Sequence, residues 1–161
     1  MGILRTSLIL FPALLLMAPA LLADPVDSAR DLLYAVEYGH GDSFLELLSE
    51  SVRGQVESAY RQLQDIAAED PGLAETMLQR TGSGLTTWDL EWMTTEDFVS
   101  VLLRSVQLPS LEEVISEKVS MYGRNAEVVM TWLSGYSVTF QFIWESSSWK
   151  VTGSSLLDQL F

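Results

Sequence analysis

Apolar side chains recur every three or four residues from Val26 to Val106, and close to every second residue from Ile115 onward. The chain therefore reads as a helical half followed by a stranded half. Asp24-Pro25-Val26-Asp27 opens the first helix: Asp24 can cap, Pro25 suits the first helical position, and Asp27 sits in the first turn. Ala29, Leu32, Leu33 and Val36 share its buried face, and Gly39-His40-Gly41 stops it. Asp42 is the expected cap of a short second helix carrying Phe44, Leu45, Leu47 and Leu48. Ser49 caps a long third helix, with Val52, Val56, Tyr60, Leu63 and Ala67 in one stripe, ending near Asp70. Asp70-Pro71 starts a fourth, with Leu73, Met77 and Leu78 expected inside, Arg80 near its negative end and Gly82 beyond. One signal is then repeated. Thr86 with Asp89, and Thr94 with Asp97, have the spacing of capping boxes, flanked by the staple pairs Leu85–Leu90 and Met93–Phe98. They predict a short helix near 87–92 and a longer one near 95–106, burying Phe98, Val99, Leu102, Leu103 and Val106. Leu108-Pro109 closes the helical half.

Four strands follow. Ile115, Val119 and Met121 alternate with Glu117 and Ser120; Val128, Met130 and Trp132 alternate with Glu127 and Thr131. Tyr136, Val138, Phe140, Phe142 and Trp144 alternate with Ser137, Thr139, Gln141, Ile143 and Glu145, and Trp149-Lys150-Val151-Thr152 reads as a last strand. Short turns make them antiparallel neighbours. The turn at Ser134-Gly135 decides which side chains share a face. A three-residue loop, Leu133-Ser134-Gly135, sets Trp132 opposite Tyr136 and gathers Val128, Met130, Trp132, Tyr136, Val138, Phe140 and Phe142 on one side. A two-residue loop would put Glu127 beside Phe142, and each misplaced large apolar group costs about 1.5–3 kcal/mol. The three-residue turn with a left-handed Gly135 is therefore predicted. The expected class is α+β: N-terminal helices packed on a curved C-terminal antiparallel sheet of about four strands.

Composition narrows the setting. The 161 residues carry a formal charge of −13, no cysteine and one histidine. Arg5 precedes an apolar run interrupted by Pro12 and Pro19, with small-residue exits at Ala18-Pro19-Ala20 and Leu21-Leu22-Ala23. This is the pattern of a cleavable secretion signal over 1–23, leaving a single domain over 24–161 that is exported to the periplasm or the medium without a stable membrane span. The charge argues against nucleic acid, whose phosphates need a basic face.

Candidate chemistry is sparse. One His and no Cys exclude a zinc cage, there is no Gly-x-Ser-x-Gly elbow for a triad on His40, and no phosphate- or dinucleotide-binding glycine pattern appears, so no cofactor is expected. The aromatic stripe of Trp132, Tyr136, Phe140, Phe142 and Trp144 is core if the helices cover it. Left partly bare, it would line a concave apolar pocket with Trp88 and Trp92 at the rim and the hydroxyl of Tyr34, Tyr60 or Tyr136 as polar anchor.

Residues Ala35-Val36-Glu37-Tyr38-Gly39-His40-Gly41-Asp42-Ser43-Phe44, the long strands of the back half and the Trp149-Lys150-Val151 ending resemble the nuclear transport factor 2-like (NTF2-like) superfamily, in particular its small secreted bacterial members. The resemblance implies a bent sheet wrapped around helices, a cystatin-like cone with a cavity. The resulting expectation is an exported non-catalytic binding or accessory domain, holding an apolar small molecule or an envelope protein at the concave aromatic face. The rivals are a proton-transfer enzyme, isomerase or hydratase-like, with a buried carboxylate facing a Tyr, and an interaction module using its acidic surface on a basic partner.

Overall fold

The computed structural model describes residues 24–160; the predicted secretion signal, 1–23, lies outside the described residues. Helix α1, Pro25–Tyr38, begins where Asp24 accepts the Val26 amide at 2.9 Å and ends at a left-handed Gly39. It buries Ala29, Leu32, Leu33 and Val36 as the spacing predicts. Helix α2, Gly41–Leu47, starts two residues earlier than expected. Asp42 lies in its first turn instead of capping it. The reason is tertiary: the Gly41 amide donates to Ser100 Oγ at 2.9 Å, so a remote helix supplies the cap.

Helix α3, Glu50–Glu69, is capped by Ser49 and buries Val56, Tyr60 and Leu63. Helix α4, Pro71–Thr81, is capped by Asp70 and ends at a left-handed Gly82. Only Ala74 and Leu78 of α4 are buried. Leu73 and Met77, expected inside, are exposed. The physical reason is coverage: α4 packs chiefly on α3 and on the short α5, Thr87–Leu90, so a narrow stripe suffices and the 73/77 flank faces solvent. Helix α6, Thr95–Ser105, carries the expected buried face except Val106, which is half-buried. Both repeated start signals form helices. In α6 the Thr94 hydroxyl accepts the Asp97 amide at 3.2 Å and the Asp97 carboxylate accepts the Thr94 amide at 3.3 Å.

A 3-10 turn, Leu111–Glu113, leads into the sheet. Strands β1 (Val114–Tyr122), β2 (Asn125–Trp132), β3 (Ser137–Glu145) and β4 (Ser148–Ser154) lie in that order, all antiparallel, in a curved sheet that does not close. The β2–β3 turn has the predicted three residues. The Trp132 amide donates to the Tyr136 carbonyl and the Gly135 amide to the Trp132 carbonyl, each at 2.9 Å, with Gly135 at φ 85°. Val128, Met130, Trp132, Val138, Phe140 and Phe142 consequently share one buried face, with Tyr136 half-buried beside Trp132. The β3–β4 turn is Ser146-Ser147, both residues at positive φ, and β4 bulges opposite Gln141 and Phe142. A last helix, α7, spans Leu157–Leu160.

The two sheet edges differ. At β4 the Ser49 amide donates to the Val151 carbonyl at 2.8 Å, Leu48 forms a single parallel bridge with Val151, and the Lys150 ammonium donates to the Glu46 carbonyl. That edge is covered by the α2–α3 junction. Among the described residues no strand pairs with the outer side of β1.

Candidate docking site

The nine aromatic residues singled out by sequence divide into three groups. Trp132, Phe140 and Phe142 are fully buried, under helices that leave them no surface for a ligand. Tyr136 and Trp144 are half-buried: Tyr136 rests on Trp132, and Trp144 meets Trp149 edge-on at 5.3 Å between ring centres. Trp88 and Trp92 stand out into solvent, 68% and 73% exposed. Of the three proposed anchors, Tyr60 is buried and donates to the Met93 carbonyl at 2.8 Å. Tyr34 lies exposed on α1, stacked on Tyr38 with ring centres 4.4 Å apart and His40 alongside. The stripe and its supposed rim therefore do not meet in one pocket. None of the hollows described is lined by Trp132, Phe140 or Phe142; Tyr34 alone of the nine lines one, with Asp31, His40, Glu46 and Lys150.

The exposed tryptophans sit on a segment fastened from below. Leu85 and Leu90 are buried on either side of the α5 start. Asp89 Oδ2 accepts both the Thr86 amide at 2.8 Å and the Thr86 hydroxyl at 2.7 Å. These bonds hold the Asp89 carboxyl below its ordinary range. Glu75 of α4 accepts the Thr87 amide at 3.3 Å. From α3, Gln64 Nε2 donates to the Leu90 carbonyl at 2.8 Å, and Tyr60 holds the Met93 carbonyl. Burial, with the nearby Asp97 charge, raises the Tyr60 pKa, so its hydroxyl keeps the proton it donates. Helical hydrogen bonding continues from Asp89 to the Trp92 and Met93 amides, both at 3.1 Å. Trp88 lies in α5 and Trp92 in the turn that continues it, four residues further on.

The surroundings are acidic. Residues 84–97 contain Asp89, Glu91, Glu96 and Asp97 and no Lys or Arg. A hollow of about 220 Å³ opens at the foot of this knuckle, lined by Gln64, Ala67, Ala68, Pro71, Thr87, Leu90 and Glu91. Two large rings on a braced turn, beside a small hollow with a carboxylate at its edge, form a surface that can seat a cationic side chain and cover apolar area at once.

Acid–base chemistry finds less support. Every Asp and Glu of the sequence lies among the described residues, and none is buried. Among those residues no group of three or more His, Cys, Asp or Glu side chains is arranged to hold a metal ion, and no helix is long and apolar enough to cross a membrane. Sequence reasoning named Trp88 and Trp92 but attached them to the sheet. Their separation from it has a signal in hindsight, because both lie on a turn bounded by two capping boxes. No known family profile, curated protein or solved structure matches the chain.

Proposed function

We propose that this chain is an exported, non-catalytic accessory domain that binds a basic partner protein at the Trp88–Trp92 knuckle. The observation that carries the reading is the exposure of these two rings within a run of carboxylates, while Trp132, Tyr136, Phe140, Phe142 and Trp144 of the stripe are buried or half-buried. Tryptophan is enriched among interface anchors, and exposing two of them together has no folding benefit. Export rests on the signal-like residues 1–23, and the NTF2-like assignment rests on residues 35–44 and Trp149-Lys150-Val151.

The solid packing of Trp132, Phe140 and Phe142 favours a protein partner over an apolar small molecule at the sheet. The alternative of a proton-transfer enzyme needs a carboxylate buried among apolar groups, and none of the described carboxylates is so placed.

The test is a fluorescence titration of the protein with an arginine-rich peptide, run at low and high salt. Binding is expected to weaken with salt, and Trp88→Ala or Trp92→Ala is expected to reduce affinity about 30-fold, the effect of losing one anchor of about 2 kcal/mol. Affinity that is the same in the Trp88→Ala/Trp92→Ala protein refutes the assignment.

A further inference from the structure

The outer edge of β1 is the second unsatisfied surface. Trp132 exchanges its backbone hydrogen bonds with the β3 side, and bonding partners alternate along an antiparallel strand. Asn125, Glu127, Val129 and Thr131 therefore face β1, where they meet Tyr122, Ser120, Lys118 and Ser116. The backbone groups of Glu117, Val119 and Met121 are left pointing outward. Val119 and Met121 lie on the same side of the sheet as the buried Val128 and Ala126 opposite them, yet are 41% and 45% exposed. Tyr122, on the other side, is exposed as well. A nine-residue edge with outward amides and apolar side chains is a template for another strand, and the other edge of this sheet is already covered.

We propose that the strand taken up there is β1 of a second copy, antiparallel and centred on Ser120, joining two four-stranded sheets into one. A twofold axis through the sheet pairs residues of like parity, so only a few registers exist. Centring on Lys118 sets like charges directly opposite, which is destabilising, and centring on Glu117 crowds two Arg30–Glu117 ion pairs, each held by two hydrogen bonds of 2.8 Å, against each other at the axis. Centring on Val119 places the Glu117 carboxylate against Met121. Centring on Ser120 sets Val119 opposite Met121 twice on the helix-facing side. On the other side it sets Lys118 over the ring of Tyr122 twice, a cation–π contact. Glu117 then faces Gly123, beside which there is open space. The outward amides of Val119 and Met121 pair with each other across the axis, and Ser120 meets its own copy at the close, non-hydrogen-bonded spacing of about 4.5 Å between Cα atoms. Centring on Met121 sets Lys118 opposite Arg124, again like charges, so among these registers charge pattern and hydrogen-bond parity favour the one centred on Ser120. The surface is separate from the tryptophan knuckle.

The chain contains no cysteine, which makes the test direct. Light scattering of the purified protein is expected to show the mass rising toward twice the monomer as concentration approaches about 1 mM. Mild oxidation of the Ser120→Cys protein is expected to give a disulfide-linked dimer, since that spacing suits a disulfide. Lys118→Cys alone and Tyr122→Cys alone are expected not to cross-link, whereas a mixture of the two is. Val119→Pro removes an outward amide without touching the β1–β2 ladder, and is expected to keep the monomer's circular dichroism while abolishing the dimer. A protein that stays monomeric throughout, a Lys118→Cys protein that cross-links with itself, or dimerisation that survives Val119→Pro overturns the proposal; association only with an unrelated strand does the same.

Discussion

Gly41 sits where no side chain fits. A Cβ there would come within 2.2 Å of the Glu96 carbonyl oxygen and 2.7 Å of the Ser100 amide nitrogen. Ser100 Oγ accepts the Gly41 amide and donates to the Glu96 carbonyl at 2.8 Å, so α2 and α6 meet backbone to backbone through one hydroxyl. Replacing Gly41 by Ala is expected to lower stability by about 1–3 kcal/mol, the usual cost of overpacking, as measured by urea unfolding. A change below about 0.5 kcal/mol, the range of ordinary surface substitutions, would show that the helices separate freely. In the sequence Gly41 reads only as a helix stop. Its contact with Ser100 is invisible there because 59 positions separate the partners. Leu73 and Met77 carry the same lesson in reverse: their apolar character predicts burial, and the absence of a neighbour on that flank leaves them exposed.

The helix starts are the best-read elements, because a cap is a matter of three or four neighbouring residues. Asp24, Ser49, Asp70 and Thr94 each accept the amide expected of them. Asp89 gives this a pH signature. Its folded pKa is depressed by the two bonds from Thr86, so its contribution is present above the ordinary value of 3.8 and is lost as pH falls through the lower folded value. An Asp89→Asn protein should therefore melt below the parent at neutral pH, with the gap closing as the solution is acidified past 3.8. A gap in melting temperature that stays constant into strong acid would assign the stabilisation to something other than the carboxylate. The β2–β3 hairpin was legible for a similar reason: only one loop length keeps the aromatic residues on one face. Strand β1 was not: Glu117, read as alternating with Val119 and Met121, is an even number of residues from both and lies on their side of the sheet, opposite the buried Met130 and bound by Arg30 of α1. No alternation tells whether a helix covers that side.

At the scale of the whole molecule, the helical half covers the aromatic face of the stranded half and leaves the Trp88–Trp92 turn and the outer edge of β1 exposed. Phe140 and Phe142 meet at the middle of that face with ring centres 6.2 Å apart, both fully buried. Phe140→Ala is expected to cost about 3–5 kcal/mol in a denaturant titration, from lost burial and the cavity left behind. Total stabilities are about 5–15 kcal/mol, so such a variant would be close to unfolding in warm solution. A loss under about 1 kcal/mol would mean that Phe140 borders open space, and the pocket reading of the sheet would regain its basis. The periodicities, the caps and the hairpin register were determined by the sequence alone, since each depends on residues a few positions apart. Tertiary structure decided what those local choices could not. It decided that the aromatic face is filled, that Ser49 and Val151 meet to close one sheet edge, and that the edge at Val119 and Met121 remains bare. The physical reason is that coverage depends on which elements come together, and residues far apart along the chain settle that only when the whole chain packs.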